Sequence, residues 1–392
     1  MWNDEVLRSL ITSNLWRYGP WGSTNMAMLR FAPNGKVSWY RHYNEAKWTL
    51  ENGKITIYHI DGMETVRFDE VHVVDRKIYF VGDLLLYKDS NSKMALTAVD
   101  FDDITLPIAL PAVNLEEVSN CRLLISLCFH FRAVTIKYLL QVMRGYFSFT
   151  VEQLDFVIYT NAADEDYALL ERSIAQCFTG QCNHKISLKS VADLEDPWLL
   201  PWQHRKDFKE TFLDNQNYTH YIYSEDDLVL NFSNFIYFLR FLPVLKPFGL
   251  IPAFSVTEYG NDGQVYAKEQ PYKIDLSLNR RVVFDGLSFI NLDNPYNALY
   301  ILDKEMGWEF FNSASFDLEA SKTKTVWGIA ERAAMGLSHE NIPDGFFSKY
   351  VVPLDHGTKT FPYYATLEHL PNKYVNEPNS AFGKITLDKL FE

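Results

Sequence analysis

Three adjacent carboxylates, Glu225, Asp226 and Asp227, follow the run Tyr221-Ile222-Tyr223-Ser224 and precede Leu228-Val229-Leu230. The pattern reads as a short buried strand that ends in acid, with a second apolar segment directly after it. Like charges this close repel, and removing them from water without compensation is costly. A cation beside them answers both problems, and a hard divalent ion held by carboxylate oxygens is the usual one. The competing reading is a solvated acidic turn without chemistry, since acid runs are common in loops.

Other residues could serve such a centre. His204, Arg205 and Lys206 precede the acids, and an arginine suits bidentate contact with phosphate. Asn161 closes the strand Leu154 to Thr160. Glu331 stands near the start of the segment Trp327-Gly328-Ile329-Ala330-Glu331-Arg332, with Asp317 and Glu319 as rival carboxylates. His369, Lys373 and Lys384 come late in the chain. A lone histidine or lysine is more often a satisfied or solvated residue than a ligand, and Arg332 could pair with Glu331 as a plain helix-surface ion pair.

The elements that must position these groups change character along the chain. Residues 1–100 carry strand logic, with Asn34-Gly35 and Asn52-Gly53 between alternating runs, a strong hairpin signal. They are expected to form a small antiparallel β accessory domain. Asn44, Glu45 and Trp48 could make a polar pocket there, and Trp39, Tyr43 and Trp48 an exposed aromatic face. The alternative is a Trp packed at the sheet edge beside a solvated Glu. Residues 101–117, the end of an unperiodic stretch from Asp89 with Pro107 and Pro111, read as a linker.

From residue 118 to 392 strands and helices alternate. Arg122 to Phe129 is a buried strand, Val134 to Tyr146 an amphipathic helix, and Leu154 to Thr160 a strand. Asp164 to Cys177 is a helix, Lys185 to Leu188 a short strand, Trp202 to Asn215 a helix and Thr219 to Ser224 the strand leading to the acids. Phe232 to Leu245 and Trp327 to Leu337 read as later helices and Arg281 to Phe284 as a strand, and the region from Ile251 onward is otherwise irregular. This order implies an α/β fold with a mainly parallel sheet and its ligand at the strand carboxyl ends. Asn161 and the acid run both fall at such ends.

The strand, the acids and the following apolar segment, placed after the strand Arg122 to Leu127, resemble the DxD-type motif of GT-A fold glycosyltransferases. The resemblance covers residues 118–392 and implies a GT-A-like domain. By that likeness Asp226 and Asp227 would hold Mn2+ or Mg2+ against the diphosphate of a nucleotide sugar, a UDP-sugar being favoured. Glu225 would buttress them or reach the ribose, and His369 would be a further metal ligand. Arg205 and Lys373 would meet the diphosphate, with Asn161 at the nucleotide site. Glu331 resembles the acid that serves as base in inverting members, although Glu-Arg stands where the family has Glu-Asp or Asp. The implied activity is transfer of a sugar to a glycan or lipid-linked acceptor, in surface polysaccharide synthesis.

Composition bounds the alternatives. The chain has 392 residues, 47% of them hydrophobic and 22% charged, enough for a full core. Its net charge of -13 argues against nucleic acid as a partner. Aromatics reach 15%, which suits sugar stacking and β-rich cores alike. Cys121, Cys128, Cys177 and Cys182 have no zinc spacing and suit free thiols in a reducing cytoplasm. Met1-Trp2-Asn3-Asp4-Glu5 is acidic where a secretory leader is basic, and no run reaches the length of a spanning helix. The expectation is a cytoplasmic protein, with peripheral attachment to the inner face of a membrane left open. Two other readings remain: a non-catalytic carbohydrate-binding protein, and a Mg2+-dependent nucleotidyltransferase. The second would want a glycine-rich phosphate loop where this chain has Cys128-Phe129-His130-Phe131-Arg132.

Overall fold

The computed structural model describes residues 4–391 apart from 24–26, 41, 75–76, 88–91, 100–101, 110–111, 179–183 and 277–278. Cys182 lies outside the described residues, while Cys121, Cys128 and Cys177 are free thiols. Among the described residues no helix is long and apolar enough to cross a membrane.

The N-terminal strands form one antiparallel sheet of eight, from Leu15–Pro20 to Lys93–Val99. A bridge between Lys36 and Lys47 joins its two edge strands, so the sheet nearly closes into a barrel. Asn52 (φ 52°) and Gly53 (φ 75°) both take positive φ, as the tight turn between Lys47–Glu51 and Lys54–Tyr58 requires. The alternating apolar residues pack inward around Trp16, Phe31, Trp48, Ile57 and Phe68, and the helix Asp4–Thr12 adds Leu7 and Ile11 to that core.

The expected aromatic face is therefore not there. Trp48 is buried and donates its Nε1–H to the Ala32 carbonyl at 2.9 Å. Trp39 is buried too, stacked at 4.4 Å on Phe347 of the second half and donating to Asp293 Oδ1 at 3.1 Å. Only Tyr43 of the three is exposed. Glu45 is likewise not solvated: it is buried, accepting from Tyr18 Oη at 3.1 Å and facing His42 Nδ1 at 3.1 Å. Trp39 thus docks the barrel on the second half. The segment expected as a linker also contributes structure, since Ile104–Thr105 pairs in parallel with Val282–Phe284.

The second half is mixed α/β. Its central sheet has the spatial order Ile186–Ser190, Gln153–Thr160, Arg122–Phe129, His220–Glu225, Leu299–Asp303. The first four strands run parallel and the last antiparallel. The chain winds outward from Arg122–Phe129 in one direction, then returns to its other side with His220–Glu225. Such a reversal opens a crevice at the carboxyl ends of the two strands, where open α/β sheets bind ligands.

Several helices differ from their expected spans. Val134 is exposed in a 3-10 turn, and the α-helix is Ile136–Phe147 with Leu139, Val142, Met143 and Tyr146 buried. The stretch from Trp202 to Asn215 divides into a 3-10 turn at Pro197–Trp202, a short α-helix at His204–Phe208 and a π turn at Lys209–Leu213. The helix expected from Trp327 to Leu337 is only Ile329–Ala333: the chain leaves helical geometry at Ala334 (φ -88°, ψ 5°) and then passes through the left-handed Gly336 (φ 54°). Phe232–Leu245 forms as expected, started by a reciprocal capping box between Asn231 and Asn234.

The region read as irregular holds two further sheets. One has the order Leu228–Val229, Thr366–His369, Ser255–Tyr259, Val265–Ala267. The other is built on Tyr350–Asp355 and Leu287–Ile290. Asn234 ties the capped helix to the first of these by donating to the Tyr364 and Thr366 carbonyls at 2.7 and 3.0 Å.

Candidate active site

Glu225 is the last residue of its strand, opposite Cys128 on the neighbouring parallel strand, and Asp226 and Asp227 make the turn that follows. That turn is pinned from the far end of the chain. Leu228 pairs with His369, and the Leu370 N–H donates to the Asp227 carbonyl at 2.9 Å. Strand Ser255–Tyr259 runs parallel to Thr366–His369 and brings Glu258 beside His369. Helix Ile329–Ala333 closes the opposite side.

These elements enclose a cavity of about 390 Å3 next to the strand-order reversal. Glu225, Asp227, Glu331, His369 and Lys373, far apart in sequence, all line it. Asp226 does not. Glu225 ends the strand and Asp227 closes the turn after it, and the turn brings both to the cavity. Asp226, half-buried, lies between them. The expected metal pair Asp226 and Asp227 is therefore corrected to Glu225 and Asp227 as the two run carboxylates on the cavity.

The remaining candidates lie elsewhere. Asn161 accepts from the Phe131 N–H at 2.6 Å and so shapes the loop after the first parallel strand rather than the cavity wall. Arg205 is buried, not at a phosphate site. Its guanidinium stacks 3.8 Å from the Trp202 ring and donates to the carbonyls of Ser315 (2.5 Å), Ala333 (2.7 Å) and Arg332 (3.4 Å). It thus caps the carboxyl end of the short helix that carries Glu331, where a cation complements the helix dipole. Burial pushes its pKa down to about 10. Arg332 turns inward to Ser321 Oγ and the Trp327 carbonyl, both at 3.1 Å, and does not mask Glu331. His204 is buried between the Pro201 carbonyl and Tyr300 Oη. Asp317 accepts from the Glu319 and Ala320 N–H groups, Glu319 pairs with Lys322, and Lys384 donates to three carbonyls of 374–377.

Lys268, Glu269, Asn294, Tyr296, Trp327, Tyr374 and Phe382 also line the cavity and were not singled out from the sequence. Lys268 is buried, ion-paired to Glu269, with its ammonium 4.8 Å from the Tyr374 ring. Nothing in a sequence separates such a buried Lys-Glu pair from a surface one. Tyr296 and Trp327 meet edge to face at 5.3 Å and give the cavity flat apolar faces. Behind Trp327, His339 lies 5.2 Å away and borders a second cavity of about 280 Å3, between the second half and the barrel residues Trp39, Tyr40 and His42.

The carboxylates are unequal. Burial, then the Asp227 charge, raises Glu225 to about 7 against the opposing hydrogen bond from Tyr296 Oη at 2.8 Å. Burial, then Asp227 and Glu225, holds Asp226 well above the usual range. Burial opposes ionisation of Asp227 as well, but the hydrogen bond and charge of His369, with Lys268 and Lys373, outweigh it and keep its carboxyl low. For His369 burial opposes protonation, while Asp227 and Glu258 outweigh it and raise its pKa.

A pH test of Glu225 follows. Its folded pKa lies above the model-compound value of 4.5, so its stability contribution is full below about pH 4.5 and is lost as pH rises through about 7. Glu225→Gln is expected to melt progressively higher than wild type between those pH values, with the gap constant above them. A gap that does not change with pH would show that Glu225 ionises freely.

Among the described residues no set of three or more His, Cys, Asp or Glu side chains stands in metal-ligand geometry. Asp227 Oδ2 and His369 Nε2 face each other at 3.2 Å at the cavity. No protein-family model matches the chain, and no curated protein does.

Proposed function

We propose that the protein is a divalent-metal-dependent glycosyltransferase that takes a sugar from a nucleotide sugar, a UDP-sugar by the motif likeness. The observation that carries this reading is the convergence of Glu225, Asp227, Glu331, His369 and Lys373 on one cavity beside the strand-order reversal. Four parallel strands with an antiparallel fifth support the finer reading of a GT-A-like sheet.

The donor set suits Mn2+ or Mg2+. A carboxylate oxygen and an imidazole match Mn2+, and such ions take one or two protein ligands when substrate phosphates supply the rest. Asp227 and His369 would hold the ion, with Glu225 beside them. When bound, it would neutralise charge on the leaving diphosphate. Lys373 adds a cation at the same wall, whereas Lys268 is already paired. Glu331 takes the proton of the acceptor hydroxyl. That oxygen then bonds the anomeric carbon, and the bond to the diphosphate breaks with its electron pair leaving on phosphate. Tyr296 and Trp327 offer flat faces to a sugar ring, and the acceptor reaches Glu331 past Trp327. A glycan or lipid-linked acceptor in surface polysaccharide synthesis, handled on the cytoplasmic side, fits this reading.

Melting curves with a panel of nucleotides and nucleotide sugars, with and without Mn2+, test it. The true donor should raise the melting temperature by several degrees, and only with the metal present, by mass action. No shift from any nucleotide with Mn2+ present would overturn the reading. A shift without sugar release or transfer to water or glycan would favour a non-catalytic binding protein.

A further inference from the structure

Where the barrel meets the second half, part of the contact is closed and part is a cavity. Trp39 stacked on Phe347 closes it, together with Arg30, whose guanidinium lies 3.8 Å from Asp293 and 3.9 Å from Asp275. Beside them the cavity of about 280 Å3 has walls from both halves. A purely structural contact would be expected to pack closed, and ligand sites favour such seams.

Its walls mix rings with hydrogen-bonding groups. Tyr40 and His42 of the barrel lie parallel within 11°, their centroids 5.8 Å apart, and Phe346 and His339 come from the second half. The charges at the cavity are already balanced within the protein. Lys324 Nζ is 2.8 Å from Glu340, and His42 Nδ1 is 3.1 Å from the buried Glu45. The exposed Asp344 meets Arg17 at 3.8 Å. A phosphate or other anion would have to take a cation away from one of these carboxylates. A neutral, polyhydroxylated ligand with flat C–H faces can use the rings and the outer polar atoms while leaving every pair intact. His339 also relates this cavity to the first one, since its ring meets Trp327 edge to face at 5.2 Å and each ring of that pair lines one of the two cavities.

We propose that the seam cavity is a glycan subsite, which holds a neutral segment of the acceptor distal to the hydroxyl that reacts at Glu331. The proposal rests on the transferase reading above for the word acceptor, but not for the binding of a glycan. It gives the barrel a share in substrate recognition, through Tyr40 and His42 and not through an exposed tryptophan face.

A printed array of neutral di- to hexasaccharides, probed with the full chain, tests it, followed by calorimetric titration of the best-binding oligosaccharide. Two variants alter the barrel wall. Tyr40→Ala removes a ring, and Ala27→Leu fills space from a half-buried position at the start of its strand. Each should weaken the oligosaccharide roughly tenfold and leave the Mn2+-dependent melting shift given by the donor nucleotide unchanged. In wild type the ring proton signals of His42 and His339 should move as the oligosaccharide is added. Rings that do not move overturn the proposal whether or not the variants fold. So do an array on which nothing binds, wild-type affinity in either folded variant, and an affinity lost in Trp327→Ala alone, which would place the glycan in the first cavity. If the oligosaccharide binds here while no nucleotide stabilises the protein, the transferase reading falls and the glycan site stands.

Discussion

Asp227→Asn is expected to abolish sugar transfer while leaving the fold of the metal-free protein intact. Asn keeps the shape of the side chain, and the turn is held through the Asp227 main-chain carbonyl, which the substitution does not touch. What disappears is the one carboxylate of the run that is held ionised, together with its pairing to His369 Nε2. Charge stabilisation of a leaving diphosphate by a metal is worth several kcal/mol, so the loss in turnover should be roughly a thousandfold or more. The Mn2+-dependent stabilisation by the donor nucleotide should vanish with it. The measurements are turnover at saturating donor and melting curves with and without Mn2+. Wild-type turnover in Asp227→Asn would remove Asp227 from the chemistry. The isosteric comparison is Glu225→Gln, which takes away a carboxylate that is already partly protonated near neutral pH and should cost less.

Glu331→Gln should lower kcat by about 10^2- to 10^4-fold with little change in donor KM, because a general base acts in the transition state. The structure sharpens this expectation in two ways. Arg332, the natural partner for a surface ion pair, is engaged by Ser321 and Trp327, so Glu331 keeps its carboxylate on the cavity. Its helix is clamped at both ends, by the Trp202 Nε1–H on the Ile329 carbonyl at 2.7 Å and by Arg205 on the Arg332 and Ala333 carbonyls. Asp317→Asn and Glu319→Gln serve as controls, since those side chains are committed to local turn contacts and should leave kcat near wild type. A steady-state comparison of the three variants decides it. An effect of Glu331→Gln confined to donor KM would make the residue a binding group, and a large kcat loss at Asp317 or Glu319 would move the base there.

Local pattern determined a good deal of this protein. The hairpins of the barrel come from alternating runs broken by Asn-Gly, and helix Phe232–Leu245 from a continuous apolar stretch with a capping pair at its start. The acid-tipped strand was legible because the apolar run Tyr221 to Tyr223 reads as a buried strand, and it forms as His220–Glu225. These signals depend on residues within a turn or two of each other, where the physics is local. Which acids share a face depended on how the chain turned after Glu225, and that turn is held by Leu370. The role of Arg205 was misjudged because a phosphate clamp and a buried cap of carbonyls use the same guanidinium, and only burial distinguishes them. Trp39 and Trp48 look alike in sequence, yet one packs inside the barrel and the other docks it to Phe347.

Glu258 and Lys268 gave no signal at all. Each is a charged residue in a segment with no clear period, indistinguishable in sequence from solvated surface. Tertiary structure decided them through pairings between distant strands: Leu228 with His369, and Ser255 with Thr366. Those pairings desolvate the two charges and supply their partners. The free energy that holds a buried carboxylate against an imidazole belongs to segments more than a hundred residues apart, so no local stretch of sequence encodes it.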